Sequence, residues 1–124
     1  MAVYDEHQKA LYLIRDHFGV HPLFVTENKG FLAFSSNKAA LLALPWVEKS
    51  INEQWLADNM TQTFIDRSAT FYLNIKSHLA AHWRLISAGQ DNMHRYWELD
   101  LSYSLPIMSE EEYISQFNTL FLKR

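Results

Sequence analysis

Cysteine is absent from the 124 residues. That excludes a disulfide framework, a thiolate zinc site and a cysteine nucleophile supplied from within this stretch. Only three glycines and three prolines occur, too few for long flexible linkers. No apolar run approaches the roughly 20 residues that span a bilayer. Asp5, Glu6, Lys9 and Arg15 interrupt the first fifteen residues, which is unlike a secretory leader. A net charge of −3, with acids and bases interleaved, leaves no basic stripe for nucleic acid or anionic lipid. The expectation is a cytoplasmic protein with neither a nucleic-acid nor a membrane partner.

What the chain does have is apolar surface to bury. Hydrophobic residues make up 48% and aromatics 15%, enough for one packed domain with a real core. Residues 2–5 read as a short strand, 6–9 as a polar turn, and Ala10–Ile14 as a second, continuously apolar strand completing a hairpin. Gly19 and Pro22 break regular structure. Residues 23–26 and 31–34 read as two more strands around the turn Asn28-Lys29-Gly30, where glycine is free to take positive φ. The expectation is one meander of four strands.

Further along, Ser36 or Asn37 can cap a helix over 38–44, which Pro45 ends. A second helix is expected over 52–60, with Ile51 and Trp55 spaced for one face, then a loop over 61–70 and an extended segment over 71–75. Residues 82–86 and 94–97 flank Gly89-Gln90-Asp91-Asn92 as a late hairpin. Pro106 punctuates the chain before its last element. There Ser109 and Glu112 have capping-box spacing, and Glu110, Glu111 and Glu112 sit at the positive end of the helix dipole, with Lys123 and Arg124 at the other. Tyr113, Phe117, Leu120 and Phe121 form an apolar stripe still in need of a partner.

One corner is more particular than strand propensity requires: Arg15-Asp16-His17-Phe18-Gly19-Val20-His21-Pro22-Leu23. Its arginine-aspartate, glycine and proline-leucine order resembles the turn in the glutaminase domain of glutamine-hydrolysing asparagine synthetases. Other segments follow in family order. Ala2-Val3-Tyr4-Asp5 looks like the strand entering the turn before the arginine-aspartate pair, and Phe34-Ser35-Ser36-Asn37-Lys38-Ala39-Ala40-Leu41-Leu42 looks like the serine-glutamate-x-lysine-alanine-leucine helix start. Thr70-Phe71-Tyr72-Leu73-Asn74-Ile75 is similar to the segment leading into the late hairpin. Arg95-Tyr96-Trp97-Glu98-Leu99-Asp100 resembles the tyrosine-tryptophan strand that closes the domain, and residues 109–124 resemble the first synthetase helix.

The resemblance implies an α+β fold, part of the αββα sandwich of N-terminal-nucleophile glutaminases. It implies that 1–100 is the carboxyl-terminal half of a class II glutaminase domain, and 101–124 a linker plus the start of a synthetase domain. The family's nucleophilic cysteine and asparagine-glycine oxyanion segment precede this window, and its ATP-pyrophosphate motif follows it. Hence no catalytic, cofactor or metal residue is assigned here, and ATP and magnesium are implied only for the parent enzyme. The implied partner is the remainder of that enzyme or a complementing chain, with homo-oligomerisation expected of the isolated chain. Two departures stand out: Asn37 replaces the usual glutamate, and Ala80-Ala81 replaces a proline-glycine turn. Such drift suits a relative with a decayed glutaminase, such as a β-lactam synthetase or lasso-peptide cyclase. A non-catalytic interaction module is the reading from another class.

Weighed singly, the chemical candidates favour structure. Arg15 and Asp16, with Gly19 and Pro22, are read as pinning a turn, the two charges satisfied by each other and by backbone. His17/His21 and His78/His82 have helical metal-pair spacing, but Gly19 and Pro22 disfavour a helix at the first pair and no third ligand accompanies the second. Surface or hydrogen-bonded positions are expected for all six histidines. Asp5 and Asp16 lie at ends of adjacent strands, so proximity is conceivable, though turn acceptors explain them more simply. Ser35-Ser36 reads as helix capping. Trp55, Trp83 and Trp97 read as core or interface residues. Asn28-Lys29-Gly30 lacks the repeated glycines of a phosphate loop.

Overall fold

The computed structural model describes residues 1–63, 65–102 and 104–123. Its elements run β1 Ala2–Asp5, β2 Ala10–Ile14, β3 Phe24–Asn28, β4 Phe31–Ser35, α1 Lys38–Leu42, α2 Glu53–Thr61, β5 Lys76–Ser77, β6 His82–Ser87, β7 Gln90–Arg95 and α3 Glu110–Leu122. The strands form two antiparallel sheets, ordered β1-β2-β6-β7 and β4-β3-β5. The fold is α+β, as expected.

Local chemistry accounts for the hairpins. The Asp5 carboxylate accepts from the backbone N–H of His7 and of Gln8, closing the turn between β1 and β2. Lys29 and Gly30 both take positive φ, the two-residue turn whose twist suits a hairpin, and join β3 to β4. The late hairpin is tighter than expected. Only residues 88–89 turn, and Gln90, Asp91 and Asn92 are already paired in β7.

The four-strand meander is not formed. β2 pairs with β6, Leu11 opposite Ile86, while β3 pairs with β4 and β5 in the other sheet. The corner after Ile14 therefore carries the chain between sheets. Strand patterning reports which residues face a core, but it does not choose the strand that fills an open ladder. Residues 71–75 also depart from the extended expectation. Tyr72 makes a single bridge to Ile51, residues 73–74 turn, and pairing resumes at Lys76. The buried Thr70 hydroxyl donates to the Ile75 carbonyl, 2.7 Å away, and folds the segment back. Ile51 thus lies before α2, bridged to Tyr72 rather than aligned with Trp55.

The sheets pack face to face. Leu13 of β2 meets Val25 of β3 and Leu23 just before it, flanked by Leu11, Ile86 and Leu32. Full burial of a leucine such as Leu13 contributes about 1.5–3 kcal/mol. On the far side of the second sheet, Leu41 of α1 joins Val47 and Ile75 in another cluster. Among the described residues no helix covers the outer face of the first sheet.

The three described helices all have side-chain N-caps. The Asn37 side chain accepts from Ala39 N–H, Asn52 from Trp55 N–H, and Ser109 from Glu112 N–H. Helix α1 stops at Leu42 rather than 44, because Leu44 N–H turns to the Leu41 carbonyl, a tighter bond that precedes Pro45. The capping box of α3 is complete, with the Glu112 carboxylate accepting from Ser109 N–H at 2.8 Å. Lys123 occupies the C-cap position, just past the last turn, and the expected Arg124 contribution lies outside the described residues. Helix α3 contacts no other helix or strand among the described residues.

Candidate functional site

Immediately after β2, the Arg15 guanidinium becomes the hub of the corner. It donates to the carbonyls of Gly19 at 2.8 Å, His21 at 3.1 Å and His78, and to the Ser77 hydroxyl at 2.9 Å. Two of those partners belong to the corner itself, and two to the segment that ends β5. The fork thus ties the two sheets together, a task for which a planar cation with five donors suits better than lysine. Meanwhile Arg15 N–H donates to the His82 carbonyl, and the Tyr96 hydroxyl donates to the Arg15 carbonyl at 2.7 Å.

Asp16 serves the same corner from outside. Its carboxylate accepts from Val20 N–H at 2.8 Å and His21 N–H at 3.1 Å. Burial works against its ionisation, but the backbone donors at Val20 and His21 outweigh it, holding the carboxyl below the ordinary aspartate range. Arg15 and Asp16 are therefore not satisfied by each other, contrary to the sequence expectation. Asp16 is occupied by backbone N–H groups, and Arg15 by backbone carbonyls and the Ser77 hydroxyl, because the turn presents carbonyls inward and N–H groups outward.

Gly19 is constrained twice. Its φ is +67°, and an added Cβ would lie 3.0 Å from Arg15 Cζ and 3.1 Å from Ala80 Cβ. Pro22 ends the turn just before Leu23, whose carbonyl accepts from His78 N–H at 2.8 Å. Across the corner, Ala81 is buried at φ +58°, and its N–H donates to the Asp16 carbonyl. The left-handed backbone that a glycine would adopt freely is retained here by alanine.

The corner borders an open hollow of about 640 Å³, lined by Arg15, Asp16, His21, Ser35, Ser36 and Tyr96 with apolar walls from Leu23 and Phe34. Its polar groups do not form a nucleophile relay. His21 Nδ1 stands 3.7 Å from Asp16, beyond hydrogen-bond length, and Ser35 Oγ accepts from Asn37 N–H at 3.0 Å in a turn before α1. The arrangement offers donors and acceptors to a bound polar group.

Other candidates are kept apart. Asp5 lies at the closed end of the β1–β2 hairpin and Asp16 beyond its open end, so the imagined carboxylate pair does not exist. His17 sits edge-on to Tyr96 and Trp97, at 5.3 and 5.0 Å between ring centres. His82 Nδ1 bonds the Ala80 carbonyl, and the exposed His94 ring lies 5.3 Å from that of Trp83. Among the described residues no group of three or more His, Asp and Glu side chains converges as a metal site. Trp55 packs edge-on to Phe71, and Trp97 edge-on to Phe18.

Two features escaped sequence reasoning. Arg84, only 14% exposed, links Asp91 of its own sheet to Glu27 of the other, and these carboxylates hold its pKa far above the usual guanidinium value against the opposing effect of burial. A spacing of 57 residues separates Glu27 from Arg84, and no local signal joins them. The second is the depth of His78, which is hydrogen-bonded, one of the two expected alternatives, but also buried. Its neighbours Ser77 and Leu79 gave no strong core pattern.

The sequence profile of the glutamine amidotransferase domain matches residues 1–97. The chain belongs to that family. It is similar to two proteins of Bacillus subtilis (strain 168), glutamine-hydrolyzing asparagine synthetases 2 and 3, with 29% identity over 108 and 100 residues. Each alignment covers 80% of this chain but only 14% and 16% of the respective relative, so the chain spans about one-seventh of their length. No described helix is long and apolar enough to cross a membrane.

Proposed function

We propose that this chain is a structural segment of a cytoplasmic, glutamine-dependent amidotransferase of the asparagine-synthetase type. In this reading 1–100 is the carboxyl-terminal half of the glutaminase domain, and 101–124 leads into the synthetase domain. The parent would hydrolyse glutamine and amidate an ATP-activated aspartate. Family membership over residues 1–97 carries the reading.

The role assigned to this segment is scaffolding. Arg15, Asp16, Gly19 and Pro22 hold the corner that walls the 640 Å³ hollow. Amide hydrolysis needs a nucleophile and donors aimed at a developing oxyanion, and the chain contains no cysteine. ATP and magnesium are assigned to the parent. The three glycines here sit in three separate turns rather than a phosphate cradle, so no step is derived through either group.

Left-handed Ala81 in place of the family's glycine favours a second reading, in which the parent's glutaminase half has drifted from glutamine use. Intact mass and glutaminase activity of the natural source protein, measured beside the 124-residue chain, test both. A much heavier natural species that releases glutamate, beside a silent short chain, supports the first reading. A heavy species silent toward glutamine supports the second. A natural species of this size would overturn both and make a complementing partner chain the object of search.

A further inference from the structure

His78 lies in the connection between β5 and β6, where the two sheets are joined. Its backbone N–H donates to Leu23, at the entry to β3, and its carbonyl accepts from Arg15, at the exit of β2. The side chain is 3% exposed. Its Nδ1 lies 3.1 Å from the Leu79 carbonyl, which can only accept, so Nδ1 carries the proton. Nε2 is then a bare lone pair, and it has no hydrogen-bond partner among the described residues.

A neutral imidazole tolerates that seat, since an unpaired acceptor costs less than an unpaired charge. Protonation of Nε2 would introduce an N–H with no acceptor and a full positive charge. The charged groups around it compound the cost: Arg15 from the end of β2, with His82 and Arg84 from β6. The carboxylates of Glu27 and Asp91 line the same inter-sheet hollow, but Arg84 already binds both, while Lys76 there reaches toward Asp66.

We propose that His78 is an acid-sensitive latch: its protonation expels the ring and releases the backbone bonds that fasten Leu23 and Arg15 across the sheet joint. Burial is the main cause holding the imidazole below its ordinary pKa, and the neighbouring cations add to it. The sign follows from linkage. Below about pH 6.5 the unfolded or opened chain takes up a proton that the latched form refuses. The stabilisation is therefore complete above that pH and is lost as pH falls. The corner around Arg15, with its hollow, loosens in mild acid.

Hydrogen exchange of the His78 amide, whose N–H is held by the Leu23 carbonyl, between pH 7.5 and 5.5 and corrected for intrinsic rates, reads the latch directly. Protection should fall toward the limit of about tenfold per pH unit below pH 6.5. In His78→Leu it should be flat with pH, whereas His82→Gln should keep the wild-type slope. A flat wild-type profile, or an unchanged slope in His78→Leu, would overturn the proposal. If His78→Leu does not fold, an imidazole NMR titration of the wild-type chain decides. Nε2 unprotonated to below pH 6 supports the latch, and an apparent pKa of about 6.5 or more rejects it.

Discussion

At the scale of single residues, Arg15 is the hub on which the corner depends. Truncation in Arg15→Ala would strand a hydroxyl and three carbonyls, part of them shielded from water. The expected loss is about 2–4 kcal/mol in urea unfolding. Arg15→Lys should recover less than half of it, because an ammonium cannot reproduce the fork. Wild-type unfolding of Arg15→Ala would contradict the scaffolding role. Ala81 points the other way. Its left-handed backbone costs roughly 1–2 kcal/mol, partly offset in Ala81→Gly by the entropy of a freer unfolded chain. The net expectation is a stabilisation of about 0.5 kcal/mol, seen as a higher urea midpoint at unchanged slope.

At the scale of elements, the local rules were the legible ones. Asn37, one of the two residues expected there, and Ser109 cap their helices, because a cap needs only a side-chain oxygen and an N–H two or three residues away, whereas Asn52, expected as the first helical residue, proves to be the cap of α2. The β1–β2 and β3–β4 hairpins were readable for the same reason. Residues 71–75 were not, since the Thr70 hydroxyl bond that folds them back competes with strand propensity and leaves no periodic trace. Helix α3 offers a separate test. It contacts no other described element, and its Phe117 and Phe121 rings stack on each other, 5.7 Å apart, in the open. Ser109→Ala should weaken the helix by about 1 kcal/mol, raising amide exchange over residues 110–116. The global unfolding midpoint should not move. A coupled drop would mean that α3 is docked on the rest of the fold.

At the scale of the whole molecule, one outer sheet face carries no described helix, and the edge strands β1 and β7 are exposed. Such edges pair with further chain. The isolated chain is expected to self-associate, so sedimentation velocity should show concentration-dependent dimers or larger species; a monomer across the whole range would count against it. The corner residues Arg15, Asp16, Gly19 and Pro22 could be picked out by their order along the chain, yet their partners could not. Sequence determined the Asn37 and Ser109 caps, the Lys29-Gly30 turn and the amphipathic last helix, which depend on residues a few positions apart, and the order of its motifs pointed to the α+β class. Tertiary structure decided that β2 joins β6, that Arg84 bridges Glu27 and Asp91, and that His78 is sealed between the sheets. Those outcomes depend on which distant segments exclude water together, and that is settled only when the two sheets close on one another.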